Sequence, residues 1–230
     1  MQTVEAGRWR FKGPEMEGAI ARWYSGIRGS EKQIQVYRDQ AAQLTKGLPA
    51  GSRVLEVAPG PGYLAIEMAR EGLVHITALD ISRTFVQIAS DNARQAGVGV
   101  EFRQGDAARM PFEDASFDLV VCQAAFKNFV KPHTALSEMY RVLRAGGITV
   151  IDDMNRDATH ADISEEVRGM GLGAVSSFMT MTTLEMLRRR AYSRSQFERL
   201  AAESPFFACA ITTAGIGLRV RLTKPEAAVA

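Results

Sequence analysis

The stretch from Val54 to Tyr63 constrains this chain more than any other. A short apolar run (Val54, Leu55, Val57) empties into Pro59-Gly60-Pro61-Gly62, and Tyr63 to Ala69 is then apolar at helical spacing. A run this short, closed by turn residues, predicts a buried strand of a parallel sheet. Strand, tight glycine turn and helix in succession predict a nucleotide-binding loop. Gly60 and Gly62 are expected to let the backbone approach a ligand where a side chain would clash, with free N–H groups of the helix N-terminus turned toward it. A second apolar run (Val74, Ile76, Ala78, Leu79) closes on Asp80, 18 positions past Gly62. That is about the spacing at which a carboxylate meets a ribose diol. The pair of features predicts an adenosine-type ligand on a doubly wound sheet.

At 230 residues the chain is long enough for one domain with a sizeable core. A hydrophobic fraction of 46% with 23% charged residues is that of a soluble globular protein. The net charge of +2 is too mild to argue for a nucleic-acid partner, and none is expected. No run approaches the roughly 18 apolar residues of a membrane span, so no membrane partner is expected either. The two cysteines, Cys122 and Cys209, and the lack of a secretory signal point to a reducing cytoplasm. No His, Cys or Asp cluster has zinc or iron spacing, so no metal is expected.

Taken in order, residues 1–13 are polar and basic and read as an arm. Two helical patterns follow within residues 1–49. The first places Met16, Ala19, Ile20 and Trp23 on one face and ends at Trp23-Tyr24; the second aligns Ile34, Tyr37, Ala41 and Leu44. They read as an N-terminal helical cap, either packed on the sheet edge or laid as a lid over a ligand. After the glycine unit come a helix with Ser82 as N-cap and Gly97 as C-cap, and a strand at Val100–Arg103. An apolar strand around Phe117–Cys122, a helix over Thr134–Leu143, a turn at Ala145-Gly146-Gly147 and a strand at Ile148–Ile151 follow. Alternation of strand and helix implies parallel strands joined by right-handed crossovers. Residues 155–192 read as a helical insertion with helices at Ile163–Met170 and Thr183–Arg190, and Ser193–Ala202 as a further helix. Phe207–Thr213 and Leu218–Leu222, around Ala214-Gly215-Ile216-Gly217, read as a hairpin. The expected fold is α/β: a doubly wound, mostly parallel seven-stranded sheet with a C-terminal antiparallel hairpin, occupying residues 50–230 behind the helical cap.

Four stretches, in this order, resemble class I S-adenosylmethionine-dependent methyltransferases. Glu56-Val57-Ala58-Pro59-Gly60-Pro61-Gly62 is similar to that family's acidic glycine motif, and Asp80 stands where the family binds ribose hydroxyls. Gly105-Asp106-Ala107 through Phe112, with Ser116-Phe117-Asp118, resembles its adenine-contacting loop and fourth strand; Tyr140 to Gly147 resembles the helix and turn before the fifth. The order is most similar to the ubiquinone/menaquinone C-methyltransferases and their small-molecule relatives. It departs from them at Phe126-Lys127-Asn128-Phe129, where lysine stands for arginine, and at Ala58, where a first glycine is usual. Since alanine disfavours positive φ, the loop is expected to turn without a left-handed residue at position 58.

The resemblance implies S-adenosyl-L-methionine as cofactor, with S-adenosyl-L-homocysteine as product. Glu56, Ala58, Gly60 and Gly62 would hold its methionine part, Asp80 its ribose, Ile81 the adenine face, Asp106 and the Ala107 N–H the adenine edge, and Gln123 the region of the sulfonium. Candidates for chemistry follow the fourth and fifth strands by position: Lys127, Asn128, Asp152 and Asp153, with His133 nearby. Lys127 reads either as a desolvated base or oxyanion-orienting group, or as a surface lysine paired to an acid, and His133 either as catalytic or as opening the next helix. Trp23, Tyr24, Phe126, Phe178 and Met179 are candidates to line an apolar acceptor pocket. The expected activity is methyl transfer to oxygen or carbon of a small, largely apolar or aromatic acceptor, by a cytoplasmic protein that could form a homodimer. A non-methylating S-adenosylmethionine-binding relative keeps the same fold and ligand. Gly60-x-Gly62-x-x-Ala65 also fits a nicotinamide oxidoreductase, but Arg144 stands where a Tyr140-based hydride-transfer pair would need lysine. An RNA methyltransferase is disfavoured by Cys122-Gln123-Ala124-Ala125-Phe126, which lacks an Asn/Asp-Pro-Pro-aromatic motif.

Overall fold

The computed structural model describes residues 16–226, so the arm at 1–13 and residues 227–230 lie outside the described residues. The strands are β1 (Ser52–Val57), β2 (Val74–Asp80), β3 (Val100–Gln104), β4 (Phe117–Gln123), β5 (Leu143–Met154), β6 (Ala210–Ala214) and β7 (Gly217–Thr223). They form one sheet in the order β3-β2-β1-β4-β5-β7-β6. β1 to β5 pair in parallel, while β7 runs antiparallel to both β5 and β6. The chain winds outward from β1 to β3, then re-enters on the other side at β4. That reversal opens a crevice at the carboxyl ends of β1 and β4, where ligands of open α/β sheets bind.

Eight helices complete the described fold: α1 (Gly18–Arg28), α2 (Glu31–Thr45), α3 (Tyr63–Arg70), α4 (Arg83–Ala96), α5 (Pro132–Val142), α6 (His160–Gly169), α7 (Ala174–Arg190) and α8 (Arg194–Ala202). None of them is long and apolar enough to cross a membrane. The continuous apolar runs of the central strands are explained by burial on both faces. Val54, Ile76, Leu119, Val121 and Val150 pack against Tyr37 and Ala41 of α2 and Leu64, Ala65 and Met68 of α3. Leu55, Leu79, Val120, Cys122 and Ile151 of the same strands belong to the other cluster, with Leu136 and Met139 of α5 and Phe197 and Leu200 of α8. Local signals set the helix ends. Ser82 Oγ accepts the Phe85 N–H at 3.0 Å, Gly97 turns left-handed (φ +69°), and Ser193 with Gln196 closes a capping box.

The connection from β3 to β4 is a loop, as expected, held by Arg141, which donates to the carbonyls of Met110 (3.0 Å) and Phe112 (2.8 Å). Other sequence expectations are corrected. Gly146 and Gly147 sit inside β5 at a shift of register against β4, rather than in a turn before it. α1 runs through Gly26 to Arg28, because its inward face is Ala21 and Ser25, whose short side chains permit close packing. α7 is continuous from Ala174 to Arg190, so Phe178–Met181 is helix instead of a break.

Candidate functional site

The glycine turn carries three left-handed residues: Ala58 (φ +59°), Gly60 (+55°) and Gly62 (+80°). The expectation that position 58 would avoid positive φ is therefore wrong. The Ala58 N–H still donates to Leu79 O at 2.8 Å, which extends the β1–β2 ladder by one residue, and the chain must then turn at once. Holding alanine there costs on the order of 1–2 kcal/mol. The two glycines also differ in purpose. A Cβ on Gly60 would meet nothing within 4 Å, which leaves that backbone open to a ligand. A Cβ on Gly62 would lie 2.8 Å from Ala89 Cβ and 2.9 Å from the Phe102 ring. Gly62 is thus required for packing of α4 and β3 against the loop.

Asp80, at the end of β2, is 5% exposed. Its Oδ2 accepts the Gly60 N–H at 3.0 Å and its Oδ1 the Ser82 N–H at 2.8 Å, so the carboxylate ties the glycine turn to the start of α4. Burial pushes its pKa up to about 6 against the pull of these backbone donors. What covers it is the segment before α1. Glu17 accepts from the N–H groups of Arg83 (2.9 Å) and Thr84 (3.0 Å) and from the Thr84 hydroxyl, while Met16 O accepts the Ser82 hydroxyl at 2.7 Å. An acid from outside α4 thereby satisfies donors at its N-terminus and complements its dipole. Burial raises the Glu17 pKa, but hydrogen bonds from Thr84, Ser82 and Arg83 outweigh it and hold the carboxyl below its ordinary value.

Three buried side-chain atoms have no hydrogen-bond partner among the described residues: Glu56 Oε2, Arg28 Nε and Thr149 Oγ1. Glu56 is sealed at the end of β1, and burial pushes its pKa up to about 8. Arg28, at the end of α1, lies over Tyr24 and Tyr37, with its guanidinium carbon 5.9 and 5.3 Å from the ring centroids. Tyr37 stacks toward Tyr63, the first residue of α3, at 6.0 Å, and the Tyr63 hydroxyl donates to Ser25 O at 3.2 Å. The end of α1 is therefore locked beside the start of α3, immediately past the glycine turn.

Strand register sets the other side of the crevice. Val57 pairs with Cys122 and Gln123 with Asp152, and Asp152 pairs with Arg219, so Ala58, Gln123, Asp152 and Arg219 fall in one row along the carboxyl edge. Gln123 Nε2 donates to Gln40 Oε1 of α2. Arg219 grips Asp152 through two bonds, Nε–Oδ1 at 2.6 Å and Nη2–Oδ2 at 2.7 Å. Lys127, in the short turn Phe126–Asn128, is buried: its ammonium is 2.6 Å from Asp153 Oδ1, and its N–H donates to Oδ2 at 2.9 Å. It fastens that turn to β5, which is the acid-paired reading taken to the interior. His133 is half-exposed on α5, 3.7 Å from Glu203. Asn128 donates its backbone N–H to Ala125 O at 2.9 Å. Among the described residues no group of three or more metal-ligating side chains is found.

This geometry agrees with what comparison with other proteins finds. Residues 55–151 match the family described as "Methyltransferase domain", a span that takes in the glycine turn, Asp80, the β3–β4 loop and β5 up to Ile151. Over that span the chain is similar to the methyltransferase domain, in keeping with its resemblance to class I S-adenosylmethionine-dependent methyltransferases. Demethylmenaquinone methyltransferase of Deinococcus radiodurans is 41% identical over 43% of this chain and 42% of its own length. The 27-O-demethylrifamycin SV methyltransferase of Amycolatopsis mediterranei is 34% identical over 56% of this chain and 49% of its own. The matched segments thus span about half the length of those relatives. A crystal structure from Methanococcus maripaludis, described as an S-adenosyl-L-methionine-dependent methyltransferase, shares the fold with a TM-score of 0.71 at 22% identity, covering 92% of this chain and 94% of that one. The match over residues 55–151 favours a methyltransferase over the nicotinamide alternative.

The residues fit the cofactor of a class I methyltransferase. Gly60 leaves open space, Asp80 keeps lone pairs beyond its two backbone donors, and Glu56 holds an unpaired oxygen beside the turn. Ile81 and Ala107 are partly exposed at the ends of β2 and of β3; Asp106 Oδ1 accepts the Ala108 N–H at 2.8 Å and shapes the loop there. The candidates for the acceptor side are dispersed. Phe126 is fully buried among Phe129, Tyr192 and Phe197, so it belongs to the core. Trp23 (67% exposed), Phe178 (74%) and Met179 (64%) point to solvent, and Tyr24 packs edge-on against Phe85 at 5.9 Å. Glu17, Arg28, Gln40 and Arg219 carry no motif; as single polar residues on a cap or an outer strand, they are indistinguishable in sequence from solvated surface.

Proposed function

We propose that this protein transfers the methyl group of S-adenosylmethionine to oxygen or carbon of a small, largely apolar or aromatic acceptor. The observation that carries the reading is the crevice itself. The open Gly60 backbone, the buried Asp80 carboxylate and the unpaired Glu56 oxygen stand together at the switch point of the sheet. Glu56, Ala58, Gly60 and Gly62 would hold the methionine part, Asp80 the ribose, and Ile81 with Asp106 and Ala107 the adenine. The cofactor supplies an electrophilic methyl group on a sulfonium. What the chain supplies is placement, the largest part of catalysis for an in-line displacement.

Beside the turn, the carboxyl edge presents amides. Gln123 meets Gln40, Asp152 is committed to Arg219, and Lys127 to Asp153. Such a wall orients an oxygen of the acceptor, donating to it or accepting from it, and leaves the nucleophile's own acidity to set its reactivity. A hydroquinone-type ring is an acceptor of this kind. Similarity to the demethylmenaquinone and 27-O-demethylrifamycin SV methyltransferases supports an oxygen-bearing ring as the class. We place the enzyme in the cytoplasm.

Calorimetry with S-adenosylmethionine, S-adenosylhomocysteine and NAD tests the cofactor, and label transfer from methyl-labelled S-adenosylmethionine to 1,4-naphthohydroquinone tests the acceptor. Binding of the first two compounds without NAD, followed by label in the ring product, is the expected result. Binding of NAD alone would overturn the cofactor. Cofactor binding with no transfer to any small aromatic hydroxyl compound, but transfer to tRNA or protein, would overturn the acceptor class.

A further inference from the structure

α7 is apolar on the side it packs and also on the side it does not. Met181, Leu184 and Leu187 join a cluster with Ile163 and Val167 of α6, Met154 at the end of β5 and Ile216 in the β6–β7 turn. The helix therefore stands at the carboxyl edge of the sheet, on the β5–β7 side of the crevice. Its opposite side carries Val175, Phe178, Met179 and Met186, all exposed and all on one face by helical spacing. A helix apolar on opposite sides is ordinarily enclosed, and a contiguous exposed patch of this kind marks a contact surface. α1 repeats the pattern on the β1–β2 side of the same edge. It lies over the starts of α4 and α3, with the Gly18 N–H on Thr84 Oγ1 at 3.0 Å and the Tyr63 hydroxyl on Ser25 O. Ile20, Trp23 and Ile27 are exposed along it, and it contains no acid.

Two features say what the α7 face is built to meet. Thr182, within the stripe, and Thr183 beside it donate their hydroxyls to the carbonyls of Phe178 and Met179, both at 2.9 Å. These hydroxyls ask nothing of whatever covers them, which suits hydrocarbon, where no partner is on offer, better than a hydrogen-bonding protein surface. At the C-terminal end of the stripe stand Arg189 and Arg190, both exposed. The single acid of α7, Glu185, is turned to Arg188 (2.8 Å) and His160 (2.9 Å), and the exposed Glu165 and Glu166 belong to α6. An uncharged apolar stripe that ends in cations is complementary to anionic lipid, with acyl chains under the stripe and phosphates at its end. A second copy fits worse. Paired antiparallel, the arginines of each α7 would meet the positive N-terminal end of the other; paired in parallel, they would meet each other. We infer that α7 docks on an anionic membrane surface, with Phe178 and Met179 among the acyl chains, Arg189 and Arg190 at the phosphates, and Trp23 of α1 as a second contact at the interface. A chain with no run long enough to span a bilayer can still lie on one, since that needs only an apolar face. The inference goes beyond the methyl-transfer reading and is measured without turnover.

Co-sedimentation of the full chain with phosphatidylcholine vesicles, and with phosphatidylcholine–phosphatidylglycerol vesicles, tests it. Binding to the anionic vesicles should be at least about tenfold tighter than to the neutral ones and should weaken in high salt. Phe178→Ser with Met179→Ser should weaken it by at least about tenfold, and Arg189→Gln with Arg190→Gln by about 10- to 30-fold. Trp23→Ala should weaken it by about threefold. Thermal midpoints and S-adenosylhomocysteine affinity, measured on the same samples, should stay at wild-type values in the two α7 variants. No binding of the wild-type chain to anionic vesicles, equal binding to both vesicle types, or wild-type binding by either α7 variant would overturn the inference. So would a dimer in sedimentation equilibrium that Phe178→Ser with Met179→Ser makes monomeric, which would give the stripe to a second copy. Unchanged binding in Trp23→Ala would remove α1 from the surface. Failure of the wild-type chain to bind S-adenosylhomocysteine would overturn the cofactor reading alone.

Discussion

Two carboxylates a few residues from the glycine turn respond to pH in the same sense. Glu56, with its pKa pushed up to about 8, and Asp80, pushed up to about 6, bind protons more tightly folded than unfolded, where ordinary values near 4.5 and 3.8 apply. Folding stability without ligand should therefore be greatest below about pH 4 as far as these groups decide it, and fall as pH rises toward 8. Glu56→Gln removes the larger share of that fall. Thermal midpoints measured from pH 5 to 9 should decline less steeply in the variant, and its affinity for S-adenosylhomocysteine should drop. The glycines of the turn are separable as well. Gly62→Ala should destabilise the fold by roughly 1–3 kcal/mol in denaturant titrations, since its Cβ would stand 2.8 Å from Ala89 Cβ at φ +80°. Gly60→Ala should cost only about 1 kcal/mol of stability and show its main loss in cofactor binding, because the space beyond it is open.

Among the elements, the short turn after β4 is the one held most expensively. Ala124 is left-handed at φ +55°, and the buried Lys127–Asp153 pair clamps the turn to β5. Lys127→Met would leave Asp153 charged and buried, and should lose about 3–5 kcal/mol in urea unfolding. Adding Asp153→Leu to it should recover part of that loss. If Lys127→Met instead kept its stability and lost only turnover, the lysine would be a reacting group. The position of Lys127 after a parallel strand was legible in sequence; the acid it meets was not, because Asp153 stands 26 residues away and only strand pairing brings the two together. The β3–β4 loop teaches the same lesson: Arg141 lies within a stretch legible by resemblance, yet its task of gripping the Met110 and Phe112 carbonyls is visible only once α5 is docked.

At the scale of the whole molecule, the sheet and its two packed layers are ordinary, and the departures lie in the added helices. α7 has no buried residue, and Val175, Phe178, Met179 and Met186 are exposed. Phe178→Ser and Met179→Ser should each shift stability by less than about 0.5 kcal/mol in thermal melts, as for surface positions that make no buried contact. Sequence by itself determined the order of strands and helices, the glycine turn, the Asp80 carboxylate and the hairpin. Each of these is written in local chemistry: short apolar runs, capping side chains, turn glycines. Which face α1 buries, that α7 fully buries no residue, that Ala58 turns left-handed, and that Arg28, Gln40 and Glu17 come to the crevice were decided by tertiary structure. The reason is physical: such polar residues acquire a role only from partners remote in the chain, and exposure depends on what packs above a helix, which no local spacing encodes.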